Sequence, residues 1–515
     1  MPSTSFCLLA LLLAWTSGCD QQAASEKPHA PPALVTAPAP PSVAQAPAPA
    51  AEVATETDIV PRDVPRVYAK SRNVWIRSGP TSDTQWLGFL WFGGSVQIRE
   101  LRGQAGLGCS KKWIAIEPRG WVCVDGEQAT TDPDDRELAQ LYRYRPRVDT
   151  PWPHHYAAVH EMTRRYAALP DRALQKAWEL SFERHLADVF SARKTPNAPL
   201  EFVLSGRAAP VLPKLPRGLS EKRDRIWPRS AFAYSEAFDH DERAFLLAAD
   251  LTWVPRDRVE LLARTEFQGL ALGGDTKLPL AFFRGRERPT FRKDASGEFV
   301  PAEARFERLG HVPLSGEIEQ RERVRYFKLR DQDLWVSSRE AVVPEPQRRT
   351  PWGAPVGQAD TTGVAPPGRA TWLEISILGG WLMAFEGTRP AYVTMISAGR
   401  GGTPQGDKDP LATASTPTGR FPISGKFKTA TMESSSSPIV HGDVPWTQNF
   451  SGPHAIHSAY WHDDWGSLKS AGCVNVAPRD GKWLFEFTEP EVPEGWHGVR
   501  QVGRYGPSTW VIVHE

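Results

Sequence analysis

A mainly-β fold, divided into several small β units with a helical stretch between them, is what this sequence predicts, and three observations carry the prediction. Short apolar runs bounded by Gly, Pro and Ser recur at close spacing: Val74-Trp75-Ile76, Trp86 to Trp91, Val96-Gln97-Ile98 and Trp113 to Ile116. The phrase Trp121-Val122-Cys123-Val124-Asp125 is echoed by Trp253-Val254-Pro255-Arg256-Asp257 and by Trp335-Val336-Ser337-Ser338-Arg339, as a repeated unit would leave it. Alternating patterns return at Trp372 to Leu378, Trp381 to Phe385 and Ala391 to Ser397. At about 150 residues per domain, a chain of 515 has room for roughly three. With 61 Lys+Arg against 60 Asp+Glu, the formal charge of +1 supplies no electrostatic reason to expect nucleic acid as a partner.

Taken in order, the chain opens on Phe6 to Trp15, an apolar run about half as long as a membrane-spanning helix requires, which reads as the core of a signal peptide over 1–19. The following Thr16-Ser17-Gly18-Cys19 resembles a bacterial lipobox, which implies Cys19 as a lipidated residue and a membrane lipoprotein of the cell envelope. Residues 20–64 are dominated by Pro and Ala and hold no aromatic side chain. Such a segment cannot bury enough apolar surface to offset its ordering entropy, so it reads as a disordered tether biased to polyproline II.

Residues 65–130 carry the short strands named above. NVWIRSGP (73–80) and RGWVCVD (119–125) look like the opening and closing strands of a bacterial SH3-type domain, a resemblance that implies a small β-barrel and contact with wall glycan. Cys109 and Cys123 both fall inside this unit, and in an oxidising compartment they are expected to pair. Over 134–224 the stretch ALQKAWELSFERHLADVF (173–190) spaces its apolar residues as a helix does, so a helical connector is expected. The repeated Trp-Val phrases place one or two further SH3-like β units in 225–345, and the Pro- and Gly-rich segment 346–370 reads as a linker.

Residues 371–514 carry the chemistry. Two blocks stand out, His454 to Trp461 (HAIHSAYW) and Ser470 to Val476 (SAGCVNV). Cys473 has no neighbouring cysteine, and a lone thiol outside the cytoplasm is exposed to oxidation unless it has a use. A nucleophile is one such use: it needs a thiolate, and an imidazole supplies the base that makes it and the acid that protonates the leaving amine. His457 lies sixteen positions before Cys473, a distance one loop closes.

The order of these pieces, with TPTGRFPI from Thr416, Val444 to Trp446 and SAGCVNVAPRDGKWLFEF from Ser470, resembles the L,D-transpeptidase catalytic domain of the YkuD type. The resemblance implies a β-sandwich-like domain without a cofactor or metal, acting on peptidoglycan stem peptides. It implies Cys473 as nucleophile, His457 as general base and acid, Ser458 as the group orienting His457, and Gly472 as the turn that presents the thiol. Ser470 and Asn475 would brace that loop through hydrogen bonds, Trp461 would line the acceptor side of the cleft, and backbone N–H groups of Gly472 and Cys473 would receive the oxyanion. The family pattern has His where this chain has Ala471. The implied reaction is 3-3 crosslinking. The alternatives are an L,D-carboxypeptidase, an enzyme anchoring envelope proteins to peptidoglycan, a weakly active wall-binding scaffold, and a zinc hydrolase built on His454, His457, His462 and Cys473. On this reading His454 is a surface histidine, His462 a loop histidine, His441 has no role, and Asp463 and Asp464 form a solvated turn.

Overall fold

The computed structural model describes residues 60–212, 224–284, 288–366, 368–434, 437–501 and 506–515. The expected signal peptide, Cys19 and the tether up to residue 59 lie outside the described residues. Among the described residues no helix is long and apolar enough to cross a membrane.

Seven short strands build the first β unit. In Val74–Arg77 the side chains of Val74 and Ile76 turn inward while Trp75 faces out, the period-2 alternation of a half-buried strand. Antiparallel pairing runs in the order Ala129–Thr130, Arg66–Ala69, Ser95–Gln104, Lys112–Ile116, Trp121–Val124, Val74–Arg77, Trp86–Leu90. Cys109 and Cys123 are joined by a disulfide that ties the loop before Lys112–Ile116 to the strand Trp121–Val124.

The same order recurs later in the chain: Ala341–Val342, Leu280–Phe283, His311–Arg321, Val324–Leu329, Trp335–Ser337, Arg288–Lys293, Phe299–Phe306. A second unit keeps five of these positions, Glu260–Leu261, His155–Ala158, Ala231–His240, Arg243–Ala248 and Trp253–Pro255. The three Trp-Val phrases therefore mark equivalent strands, each beginning at its tryptophan.

The helical connector expected over 134–224 is helical only in part. Helices Leu138–Arg143, Arg172–Trp178 and Phe182–Ala192 lie in it, but so does the strand His155–Ala158 of the second unit. That strand is four residues long and pairs with residues more than seventy positions away, so no local periodicity announces it. Between them, residues 159–212 and 224–230 belong to an insert standing where the other units have their second and third strands. Fully buried Arg243 ties it down, bonding Glu179 (2.7 Å) and Gln175 (2.9 Å) of the insert and Asp257 (2.6 Å) of the unit. Two carboxylates on one guanidinium satisfy the charge that burial would otherwise leave uncompensated.

The segment expected as a linker, 346–370, has little regular structure but is fastened along its length. Gln347 N–H donates to Glu374 (3.0 Å) and Gly357 N–H to Thr388 O (2.8 Å).

Beyond it lie two sheets. One runs Gly419–Pro422, Trp510–His514, Thr371–Ser376, Trp381–Glu386, Arg389–Met395 and Leu270–Ala271. The other runs Gly498–Arg500, Gly425–Ser434, Ser437–Ser451, His454–Ser458 and Val474–Val476. Leu373, Ile375, Leu382, Ile456, Val474, Val476, Val511 and Val513 form the core, together with Leu484 of the helix Pro478–Phe487.

Gly498–Arg500 pairs with Gly425–Ser434 on one side and with Trp86–Leu90 of the first unit on the other. Just before it, fully buried Trp496 sits in the core of the first unit among Val67, Ile76 and Leu87, its indole N–H donating to Glu117 O (3.1 Å). The first unit is thus built partly from C-terminal residues. Trp496→Ala is expected to cost about 3–5 kcal/mol, as removal of a large buried aromatic does, and urea denaturation of the full chain reads it as a lowered midpoint.

Candidate active site

The strand His454–Ser458 runs parallel to Val474–Val476, with His457 in register with Asn475. Cys473 immediately precedes the second strand, so this pairing brings the two sequence blocks together across the loop that separates them. His457 Nδ1–H donates to Ser458 O (3.3 Å), which fixes the tautomer and leaves Nε2 as the lone-pair nitrogen. The orienting group at Ser458 is its backbone carbonyl, and its hydroxyl has no hydrogen-bond partner. Burial pulls the His457 imidazole down to about 4, against a smaller upward pull from the Ser458 carbonyl.

The Cys473 side chain is half-buried and is the free cysteine among the described residues. Burial pushes its thiol above the ordinary range, with a smaller opposing effect from the Ala455 N–H. The turn that presents it depends on Gly472. Its φ of +127° lies where side-chain-bearing residues are strained, and a Cβ there would stand 2.9 Å from Ser415 O and 3.0 Å from His454 Nε2. Ser470 braces the turn from within, its hydroxyl accepting from Gly472 N–H (3.0 Å) and donating to Cys473 O (2.5 Å). The Gly472 N–H, expected as an oxyanion donor, is therefore already engaged.

Asn475 is buried, and its main chain exchanges two hydrogen bonds of 2.9 Å with Ser397. Its side-chain amide lies 3.0 Å from His462 Nε2. The amide nitrogen Nδ2 is the atom that faces Nε2, and Asp464 N–H lies 3.3 Å from His462 Nδ1. Burial, reinforced by Lys469, lowers His462 to about 4, so it is neutral at physiological pH. Trp461, half-buried, stacks on His441 at 4.0 Å between ring centroids and stands 5.8 Å from the His457 ring.

Two expectations are corrected, those for His454 and for the Asp463-Asp464 turn. His454 is buried, with Nδ1 bonded to Ser451 O (3.1 Å), because the adjoining turn folds over it. His462 lies in a loop, as expected, and stands against the Asn475 amide. His441 reaches the same place from the strand Ser437–Ser451, which the adjacent Ala231 of the second unit pairs with at His441 itself. Asp463 is not merely solvated: its carboxylate accepts from Thr265 (2.7 Å), the Trp465 indole (2.6 Å) and Arg308 (2.5 Å), while Asp464 pairs with Lys469. A histidine and two acidic residues beside two tryptophans were the only sequence signal for this arrangement. Among the described residues no three His, Cys, Asp or Glu side chains gather in a metal-holding arrangement. Ala471 is exposed and, as an alanine, adds no imidazole to the turn.

Residues 371–513 match the family model of the L,D-transpeptidase catalytic domain, YkuD. No curated protein matches the chain. Among solved structures, the Ldtfm–avibactam carbamoyl enzyme is 22% identical over 28% of this chain and 49% of that one, with a TM-score of 0.21. The chain thus spans about half the length of that protein. The catalytic domain of the Enterococcus faecium L,D-transpeptidase is 21% identical over 29% of this chain and 100% of that one, with a TM-score of 0.20. An L,D-transpeptidase from Mycobacterium smegmatis is 18% identical over 28% and 58%, also with a TM-score of 0.20. The chain carries, at residues 371–513, an L,D-transpeptidase catalytic domain of the YkuD family.

Proposed function

We propose that this protein is a peptidoglycan L,D-transpeptidase that uses Cys473 as nucleophile and His457 as general base and acid. The observation that carries the reading is the His457 Nδ1–H bond to Ser458 O, which leaves Nε2 as the basic nitrogen, on a strand paired with the one that follows the half-buried Cys473 and its Gly472 turn. His457 Nε2 takes the thiol proton as sulfur attacks the carbonyl of the third residue of a tetrapeptide stem. The carbonyl carbon–nitrogen bond then breaks, the proton passes to the departing D-Ala amine, and a thioester remains. An amine of a neighbouring stem loses its proton to His457, attacks the thioester and expels the thiolate, leaving a 3-3 crosslink. With the Gly472 N–H held by Ser470, oxyanion stabilisation falls to the Cys473 N–H.

The N-terminal segment fits this role as a signal peptide and lipid anchor at Cys19, with a tether of some 40 residues that at about 3.1 Å each reaches on the order of 100 Å from a membrane. The strand order shared by the first and third β units, and kept at five positions by the second, supports the SH3-type reading of the first and extends it to the others. The test is to incubate the full chain with sacculi rich in tetrapeptide stems and to analyse the muropeptides by mass spectrometry. New 3-3 dimers support transpeptidation. Tripeptides without dimers assign a carboxypeptidase, and stems left unchanged overturn the enzymatic reading.

A further inference from the structure

The loop between His457 and Cys473 is bonded to its own domain through Ile396, Ser397 and Ala398, and at Asp463 it is also held from outside that domain. Arg308, in the third β unit, reaches it with two nitrogens: Nη1 meets the Asp463 carboxylate (2.5 Å) and Nη2 donates to the Asp463 backbone carbonyl (2.7 Å). Thr265, in the segment joining the second unit to the third, donates to the same carboxylate (2.7 Å). Beneath the loop, Leu280, Phe282 and Val342 of the third unit share one apolar cluster with Trp465, Trp381 and Met395. The fit is close enough that a Cβ on Gly466 would stand 2.9 Å from a Val342 methyl. Inside the loop, the residue before Asp463 is His462, whose Nε2 faces the Asn475 amide. Asn475 is the residue in register with His457, two positions after Cys473.

We infer that Arg308 is a positioning residue of the active site, acting through Asp463 on the His462–Asn475 contact, and that the third β unit is a working part of the catalytic apparatus. The inference rests on the transpeptidase reading. As a half-exposed ion pair, Arg308–Asp463 adds little to stability. Its two-point grip on one side-chain and one backbone oxygen instead fixes the orientation of the loop at the base of His462, a task a single flexible ammonium performs less well. The Asn475 Nδ2 keeps its contact with His462 Nε2 only while that ring is held, because the ring can otherwise rotate or exchange tautomers.

The test uses full-length protein carrying Arg308→Gln, Arg308→Lys, His462→Gln or both glutamines, with imipenem acylation of Cys473 followed by mass spectrometry. Arg308→Gln is expected to slow acylation about tenfold to a hundredfold, the scale on which misplacement of a reacting group acts, without lowering the thermal midpoint. Arg308→Lys recovers part of the loss. Because the two residues act in series, the double variant is no slower than His462→Gln alone. An unchanged rate in Arg308→Gln, additive losses, or a loss that follows the unfolded fraction overturns the inference. A separate readout is histidine-selective nitrogen NMR: Arg308→Gln should mix the His462 tautomers, and an unaltered His462 spectrum also counts against the inference. Wild-type protein that imipenem leaves unmodified overturns the transpeptidase reading, while the NMR comparison still judges the role of Arg308.

Discussion

Cys473→Ala takes up no imipenem mass and forms no 3-3 dimers, because every bond change in the proposed reaction passes through that sulfur. The pH dependence gives the prediction its sharper form. Burial raises the Cys473 thiol above its ordinary range and lowers His457 to about 4. Near pH 7 the resting groups are therefore a neutral thiol and a neutral imidazole, and in the proposed reaction the thiolate forms only as His457 takes the proton during attack. The signs follow for each group. Below about pH 4 His457 is protonated and cannot act as base, so acylation falls on the acid side there. Through neutrality both groups keep their working forms, so the rate is flat until the thiol itself ionises at alkaline pH. Iodoacetamide, which needs a thiolate and makes no use of the base, should modify Cys473 slowly at pH 7 and faster as pH rises. Rapid alkylation at pH 6 would reveal a preformed thiolate–imidazolium pair and sink this account of the resting state.

The parts of the molecule that were legible in the sequence are those in which local pattern and final structure coincide. Val74, Ile76 and the Trp-Val phrases alternate as strands do because one face of each strand is buried. The two reactive blocks could be paired because a loop of sixteen positions closes easily and the strands carrying them are neighbours. What stayed hidden is nonlocal. Trp496 gives no sign in its own surroundings that it completes a core most of whose members lie some four hundred residues earlier. Arg308 and Asp463, 155 positions apart, look like any exposed charges until the third unit is placed against the loop. His155–Ala158 is too short to show a period, and the helices that follow it supply a stronger local signal of another kind. Asp463 reads in the sequence as part of a solvated turn, and only its three donors show otherwise.

His457→Gln is expected to slow acylation by about 10²–10⁴-fold, the usual worth of a positioned general base. Glutamine can donate its amide N–H toward Ser458 O, so the variant keeps a side chain of similar reach and hydrogen bonding but has no nitrogen basic enough to accept the thiol proton. Its residual reaction must use thiolate formed by solvent, so its rate should climb about tenfold for each pH unit below the thiol pKa, where the wild-type rate is flat. The two curves therefore converge at alkaline pH, an outcome that general disruption of the site would not produce. Ser458→Ala supplies the contrast. The bond that fixes the His457 tautomer is to the backbone carbonyl, and the hydroxyl has no partner, so this substitution should leave the flat profile in place. If Ser458→Ala instead gave the sloping profile of His457→Gln, the hydroxyl would be the orienting group in the working enzyme. A His457→Gln variant as fast as wild type at pH 7 would remove His457 as the base, and the remaining imidazoles beside Trp461, those of His441 and His462, would become the groups to test.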